Sequence, residues 1–153
     1  MENQAVVYPE ELAGERIVIR KARMQDLDSV YRNVYGDKEL LRLTFFSVSP
    51  DRASAGQRLV RTIAFQKERP LWFIAEKETD EVIGLCGLMK EDDGYSDGGF
   101  VIAAEKQRQG YATEMLTVLL RYAFNELKTP WLSYYLIREN EPSRRLALHF
   151  GFH

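Results

Sequence analysis

The sequence predicts an α/β fold in which a mixed sheet carries helices on its faces. Short segments of strand character, a long amphipathic helical stripe and the order in which the two alternate support this prediction. The predicted order is β α α β β β α β α, with a right-handed parallel crossover between Phe100 and Ile137. Neither an internal repeat nor a linker-like stretch interrupts the 153 residues, so we expect residues 1–153 to form one domain.

The first half of the chain predicts one strand and two helices. Apolar and polar residues alternate over residues 16–20, as in a half-buried strand. Apolar residues at helical spacing follow over residues 27–34. A second helix is expected to begin near Ser49 and Pro50, because a serine cap followed by proline at the first helical position is a common helix start.

The second half predicts a meander of strands, then a helix, a strand and a short helix. The long helix is the clearest element, because its apolar residues keep the i, i+3, i+4, i+7 spacing throughout. Asn140 is a suitable cap for the last helix. The elements are strands at 71–76, 82–89 and 99–103, a helix at 112–127, a strand at 131–137 and a helix at 142–150.

Composition argues against several classes of partner. The net charge of −2 provides no general field for nucleic acid or for an anionic membrane. No apolar run approaches the roughly 18 residues of a membrane span, and residues 1–15 lack the features of a signal peptide. Together with the single cysteine, these features lead us to expect a cytoplasmic protein.

We expect neither a nucleophile nor a metal site from the cysteine and the two histidines. Cys86 lies in an apolar strand, where a small core residue is a better interpretation than an acyl-carrying nucleophile. His149 and His153 have no metal-ligand spacing with each other or with Cys86, so we expect no metal site.

The segment between the strand at 99–103 and the long helix predicts an anion site. A tight turn that enters a helix leaves several backbone N–H groups unpaired, and the helix dipole adds positive potential there. Gly110 and Ala112 allow phosphate oxygens to approach the backbone, and Thr113 adds a hydroxyl. Lys106 and Arg108 add positive charge. Taken alone, these residues also fit an ordinary helix start with a glycine in its turn.

Several motifs resemble one known family. Gln107-x-x-Gly110-x-Ala112 resembles the Gln/Arg-x-x-Gly-x-Gly/Ala signature of the GNAT acetyltransferases, and it stands between a strand and a helix as it does there. Other segments are similar to the branch that includes ribosomal-protein N-acetyltransferases. They are Phe73–Glu76, Val82–Gly84, Gly99–Ile102, Gln109–Glu114, Asn140-x-x-Ser143, Leu146 and Phe150–Phe152.

The resemblance implies a GNAT-type fold and an N-acetyltransferase with acetyl-CoA as its donor. The acceptor would be a primary amine, either a protein N-terminus or a small molecule, which attacks the thioester directly in a ternary complex. Backbone amides of the loop would bind the pyrophosphate, and the strand edge would pair with the pantetheine arm where two strands splay apart. The implied cofactor-binding residues are Phe100, Val101, Ile102, Gln107, Arg108, Gln109, Gly110, Tyr111, Ala112, Thr113 and Asn140.

The resemblance also suggests catalytic candidates. An acceptor amine is mostly protonated at neutral pH, so some group must accept a proton. Asp97 stands where the related branch often has a glutamate; a solvated turn aspartate is the alternative. Many GNAT enzymes use a tyrosine to protonate the leaving thiolate, and this chain has Ala147 at that position. Ser143, which is expected near the sulfur, a bound water or Tyr135 are possible substitutes.

Related enzymes continue beyond the Gly-Phe motif with two further strands. From this difference we expect a sheet that lacks the last two strands and exposes residues 131–137 as an edge. Such an edge predicts self-association, for example a homodimer. The alternatives to the enzyme are a catalytically weak acyl-CoA-binding module and an interaction domain that binds another anion at the same loop.

Overall fold

The computed structural model describes residues 6–153, which contain strands β1 to β7 and helices α1 to α5. The strands are β1 (Glu11–Ala13), β2 (Ile17–Arg20), β3 (Leu71–Glu76), β4 (Val82–Lys90), β5 (Tyr95–Asp97), β6 (Val101–Ile102) and β7 (Leu132–Ser133). The helices are α1 (Leu27–Val30), α2 (Lys38–Leu41), α3 (Arg52–Gln66), α4 (Tyr111–Arg121) and α5 (Glu141–His149). A π-helical turn continues α1 over Tyr31–Tyr35, and another continues α4 over Tyr122–Glu126.

The strands form one mixed sheet, which confirms the predicted fold class. Its order is β1-β2-β3-β4-β5-β7, and β6 also pairs with β4. Every pairing is antiparallel except that of β5 with β7. The predicted parallel crossover around α4 is present, but it starts from β5 rather than from residues 99–103. Both β1 and β5 are additions to the predicted order.

Two groups of buried side chains fill the two faces of the sheet. Residues alternate along β3, so that Trp72 and Ile74 pack with α4, whereas Phe73 packs with the helices that precede β3. Met115, Leu116, Leu119 and Ala123 of the predicted apolar stripe are buried. The π turn then adds one residue to the helical repeat, and Phe124 becomes exposed instead of joining the stripe.

One extra residue separates β5 from β6. Leu88 and Leu85 are three residues apart on β4, whereas their partners Asp97 and Val101 are four residues apart. One extra residue opposite β4 is the definition of a β-bulge. Gly99, at φ +85°, lies in this bulge. The expected strand at 99–103 is therefore limited to Val101 and Ile102, and Phe100 lies outside it. The bulge bends the strand at the point where the site is built.

Two further expectations on elements are wrong. Helix α3 begins at Arg52 and not near Ser49, because the Asp51 carboxylate accepts a hydrogen bond from the Ser54 amide at 2.7 Å and caps the helix. The Ser49 amide donates to Tyr35 instead. The strand expected at 131–137 is only two residues long, because the chain leaves the sheet after Ser133.

One edge of the sheet lies at β7, which pairs with β5 alone among the described strands. The self-association expected from an uncovered edge at 131–137 stays a prediction. No helix within residues 6–153 combines the length and apolar character needed to cross a membrane.

Close packing between β4 and β6 leads to a first prediction. A Cβ atom on Gly84 would lie 2.3 Å from the carbonyl oxygen of Val101, a backbone atom that cannot turn aside. We expect Gly84→Ala to lower the free energy of unfolding by about 1–3 kcal/mol, because β6 must move away. Urea titration followed by circular dichroism measures this loss.

Gly56→Ala is the matched control for this change. Gly56 lies in α3, and an added Cβ would find its nearest neighbour at 3.6 Å. Alanine there should raise the free energy of unfolding by about 0.5–1 kcal/mol, because it favours the helix. Equal stability of the Gly84→Ala variant and the unchanged protein would contradict the packing argument.

Candidate functional site

The site lies where β6 and the segment after β7 part. Pairing between β5 and β7 covers Tyr95 with Leu132 and Ser96 with Ser133, and then stops. The last link is the amide of Tyr135, which donates to Asp97 Oδ2 at 2.6 Å. Beyond it β6 pairs only with β4 among the described strands, so a gap opens in the sheet.

A cavity of about 520 Å³ occupies this gap. It brings together ten of the eleven predicted cofactor residues and one of the two predicted catalytic residues, Ser143. Gln109 and Asp97 are the two that do not line it. The lining residues that had been predicted are Phe100, Val101, Ile102, Gln107, Arg108, Gly110, Tyr111, Ala112, Thr113, Asn140 and Ser143.

Much of the remaining wall of the cavity was not predicted. Part of it comes from α2, its N-cap and the residues after it, namely Asp37, Glu39, Leu40, Leu43 and Thr44. These residues carry no motif, and their place depends on how the chain folds over the sheet. The hydrogen bond from Asn140 Nδ2 to the Leu43 carbonyl at 3.1 Å ties this wall to the start of α5.

The loop before α4 has the backbone geometry of an anion site. Arg108 and Gly110 have φ values of +61° and +84°, so two left-handed residues flank Gln109. Gly110 is also the N-cap of α4, whose first amides lack helical partners. Successive amides in such a turn form a concave nest that favours negative charge, and the helix dipole acts in the same direction.

Arg16 supports this loop from behind. Its guanidinium donates to the Gln109 carbonyl at 2.9 Å, pairs with Glu114 at 3.0 Å and lies 4.2 Å from the centre of the Tyr111 ring. A trans peptide directs its N–H opposite to its C=O. Because Arg16 holds the Gln109 carbonyl, the Gly110 amide is directed away from Arg16.

Three of the side chains predicted to bind the cofactor instead make hydrogen bonds within the protein. Gln107 Nε2 donates to the Ile102 carbonyl at 3.0 Å, and Gln109 Nε2 donates to the Glu105 carbonyl at 2.8 Å. The Tyr111 ring is buried in the core, and its hydroxyl donates to Glu76 at 3.3 Å. A ligand in the cavity would therefore meet the backbone of this loop more than its side chains.

The positive charge near the loop is partly compensated. Lys106 pairs with Glu76 at 2.9 Å, and Arg16 pairs with Glu114 as described. The other two basic residues of the lining, Arg108 and Arg145, have no carboxylate within ion-pair distance in the described part of the chain. They supply the charge that remains available to an anion.

The edge of β6 presents one amide to the gap. The Ala103 amide donates to Ile83 on β4, and strand residues alternate in the side to which their amides point. The Ile102 amide therefore faces away from β4 and toward the gap, whereas the Val101 amide faces β4. Of these two amides, that of Ile102 has the orientation needed to reach a ligand carbonyl.

Asp97 lies at the head of the gap and is not the solvated turn residue considered above. Its side chain accepts hydrogen bonds from the amides of Gly99 at 2.7 Å and Tyr135 at 2.6 Å, and the residue is only 8% exposed. Burial raises the pKa of the Asp97 carboxyl above its usual value, although both amides act in the opposite direction.

Ser143 and Asn140 are joined at the start of α5. Asn140 Oδ1 accepts from the Ser143 amide at 3.2 Å, which confirms the predicted cap. The Ser143 hydroxyl lies 2.7 Å from the hydroxyl of Tyr134, a residue within the segment expected as a strand at 131–137. Tyr135, the suggested substitute acid, is 58% exposed and contacts Asp97 through its backbone.

A second cavity, of about 20 Å³, adjoins the first. Five residues line both cavities, namely Leu43, Thr44, Phe100, Asn140 and Ser143. The second cavity adds Phe45, Phe46, Asp97, Gly99, Tyr135, Leu136 and Ile137. The loop before α4 thus lines the larger cavity, Asp97 lines the smaller one, and Ser143 lines both.

The remaining reactive side chain lies outside the site. Cys86 is buried on β4, and burial raises the pKa of its thiol. This agrees with its interpretation as a core residue. Within residues 6–153, no three His, Cys, Asp or Glu residues stand together as a possible metal site.

Comparison with known proteins places this geometry in a family. Residues 16–153 match the family described as acetyltransferase (GNAT) domain. The uncharacterized N-acetyltransferase p20 of Bacillus licheniformis is 26% identical over 147 residues, which cover 94% of this chain and 82% of that protein. The uncharacterized N-acetyltransferase YoaA of Bacillus subtilis is 25% identical over 146 residues, covering 92% and 81%.

Solved structures share the fold. An acetyltransferase of the GNAT family from Bacillus anthracis superposes with a TM-score of 0.78 at 20% identity, covering 92% of this chain and 82% of that one. The ribosomal-protein-S5-alanine acetyltransferase of Vibrio fischeri superposes with a TM-score of 0.72 at 16% identity, covering 94% and 82%. Since the family match extends over most of its length, the chain belongs to the GNAT acetyltransferases and is an acyltransferase.

Proposed function

We propose that this enzyme transfers an acetyl group from acetyl-CoA to a primary amine by direct attack in a ternary complex. The observation that carries the proposal is the pair of cavities that meet at Phe100, Asn140 and Ser143. A donor and an acceptor that enter from the two sides of the gap would meet there without a covalent enzyme intermediate. The protein's one thiol, Cys86, is buried away from both cavities.

The larger cavity fits the donor. The nest at Arg108–Gly110 and the start of α4 suit a pyrophosphate, and the free guanidinium groups of Arg108 and Arg145 suit its charge. A pantetheine arm that follows β6 toward Ser143 would pass the Ile102 amide. That amide is the candidate to stabilise negative charge on the thioester oxygen during attack.

The smaller cavity, which at about 20 Å³ holds little more than one water molecule, is where we place the reacting amino group of the acceptor, with Asp97 as the proposed base. Burial raises the pKa of this carboxyl and makes it a better proton acceptor than an exposed aspartate. Nitrogen attacks the acetyl carbon, the C–S bond breaks, and the proton lost by nitrogen goes to Asp97 or through water to solvent. The bonds to Gly99 and Tyr135 also hold the strands, so Asp97 would combine two roles.

The kind of amine is part of the proposal. The Vibrio fischeri relative acts on ribosomal protein S5 at alanine by its name, which suggests a protein N-terminus as one acceptor class. A small-molecule amine is the other. Exposed Phe45 and Tyr135 at the smaller cavity would favour an acceptor with apolar groups next to the amine.

A catalytically weak acyl-CoA-binding module is the second candidate function. Two observations favour it: Ala147 stands where many relatives have a proton-donating tyrosine, and both oxygens of Asp97 already accept backbone hydrogen bonds. Incubation with acetyl-CoA and a panel of amines separates the two functions. The panel should include peptides that begin with alanine or serine, lysine, a polyamine and phenethylamine, with released CoA and the acetylated product both measured. Binding without any acetylated product would favour the module.

Gly110 tests the donor site. At φ +84° an alanine costs about 1–2 kcal/mol, and its Cβ would lie 3.2 Å from the Arg16 guanidinium. We expect Gly110→Ala to weaken CoA binding about tenfold, because the amides of the nest must shift. Isothermal titration calorimetry measures the change.

Gly151→Ala is the control for backbone strain. Gly151 has φ +85°, nothing lies within 4 Å of its added Cβ, and it lines neither cavity. This variant should lose similar stability and keep its CoA affinity. Equal affinity of the Gly110→Ala variant and the unchanged protein would contradict the loop's role.

Asp97 tests the acceptor site through pH. A base must be deprotonated, so activity should fall as pH drops through its pKa, and the raised pKa places this fall above the usual aspartate value of about 3.9. Asp97→Asn should lower kcat/KM by about 100-fold or more and remove this acidic limb. Melting temperature and CoA affinity, measured in parallel, report any loss of structure. A variant that keeps the full acidic limb would show that another group is the base.

A further inference from the structure

Ser143 and Tyr134 form a hydroxyl pair where the two cavities meet. Ser143 lines both cavities, whereas Tyr134 lines neither. The two hydroxyl oxygens are 2.7 Å apart, and either one could donate. The Tyr134 hydroxyl can also donate to the Ser143 carbonyl oxygen at 3.1 Å. The pair therefore has two hydrogen-bonding arrangements that differ only in where each proton points.

The other polar side chains at the junction make hydrogen bonds to the backbone. Asn140 donates through Nδ2 to the Leu43 carbonyl and accepts through Oδ1 from the Ser143 amide. The Thr44 hydroxyl donates to the Leu41 carbonyl at 2.8 Å. Of the two hydroxyl groups that line both cavities, that of Ser143 is the one whose proton can turn into the junction without breaking a bond to the backbone.

The position and protonation of Tyr134 are well defined. Its ring packs between Phe100 and Phe152, at centroid distances of 6.0 and 5.2 Å. Burial raises the pKa of Tyr134 to about 12, with a further increase from Asp97 and an opposing effect of its bond to Ser143. The hydroxyl thus keeps its proton at neutral pH and remains a donor.

We propose that Tyr134 is a positioning residue that turns the Ser143 hydroxyl proton toward the sulfur of departing CoA. This inference rests on the proposed function. Before transfer, Ser143 donates to the Tyr134 hydroxyl, which donates to the Ser143 carbonyl. As the C–N bond forms and the C–S bond breaks, the electron pair of the C–S bond stays on sulfur. Tyr134 then turns its proton to Ser143 Oγ, and Ser143 turns its own proton to the thiolate.

No net proton leaves either hydroxyl in this step. The proton lost by the amine goes to the base or to solvent, and the thiolate later takes its proton from water. A tyrosine with a pKa near 12 is a much weaker acid than a thiol near 8.5, so a hydrogen bond to the sulfur is favoured over full transfer. The pair would stabilise the leaving group in a chain that has Ala147 in place of the usual acid.

The thiol pKa of bound CoA tests this inference directly. Thiolate absorbs in the ultraviolet, so a pH titration of the protein–CoA complex reports the thiol pKa without any turnover. The loss of a hydrogen bond to the thiolate should raise that pKa by about 1–2. We expect Tyr134→Phe, which keeps the ring packing, and Ser143→Ala to produce this rise. Ser143→Thr keeps a hydroxyl and should restore the lower value.

The double variant distinguishes positioning from independent effects. Because Tyr134 acts through Ser143, adding Tyr134→Phe to Ser143→Ala should change the thiol pKa no further. Tyr95→Phe is the matched control, since it removes one hydroxyl from a pair with Tyr8 at 2.9 Å, away from both cavities. It should leave the thiol pKa unchanged.

The outcomes separate this inference from the proposed function. One outcome is that CoA binds in calorimetry while its thiol pKa is the same in the unchanged protein and in the Tyr134→Phe variant. This result would overturn the role of Tyr134 and leave the acetyltransferase proposal standing. Additive effects in the double variant would overturn the coupling through Ser143. Failure of CoA to bind the unchanged protein would overturn both. A lower kcat in the Tyr134→Phe variant, with no change in KM for acetyl-CoA, would support the inference independently.

Discussion

The arrangement of the site depends on one carboxylate. Asp97 accepts the amide of Gly99 with one oxygen and the amide of Tyr135 with the other, at the point where pairing between β5 and β7 ends. Without this carboxylate, the amides of two segments that diverge beyond β5 and β7 would lose their hydrogen-bond partner. The carboxylate satisfies both and fixes where the gap begins. The bulge at Gly99 then directs β6 away from the segment after β7, and this separation leaves the space for both cavities.

Much of this arrangement could be predicted from the sequence, because it depends on local patterns. The strand at Leu71–Glu76, the amphipathic face of α4 and the cap at Asn140 each follow from spacing or from one side chain. The loop before α4 was predictable for the same reason, since a glycine directly before an amphipathic stretch indicates a tight turn into a helix. Its residues then converge on one cavity, although several contribute through their backbone.

Other features depend on partners that are distant in the chain. Nothing near Asp97 indicates that the Tyr135 amide, 38 positions away, will occupy its second oxygen. Arg16 precedes its loop by more than 90 residues, and the tyrosine at 134 looks like an ordinary strand residue. The short strand β7 is a further example, because a pattern of apolar residues does not show where a pairing partner turns away. Such features are set by tertiary contacts, which override local propensity.

The burial of Cys86 has a practical consequence for work on this enzyme. It is the one cysteine of the chain, it lies inside the sheet, and its raised pKa keeps it in the unreactive thiol form. A thiol-reactive dye added to the native protein would therefore report released CoA with almost no background from the polypeptide. The same feature makes the chain a ready host for a single introduced cysteine, through which a fluorophore could be attached at the rim of either cavity.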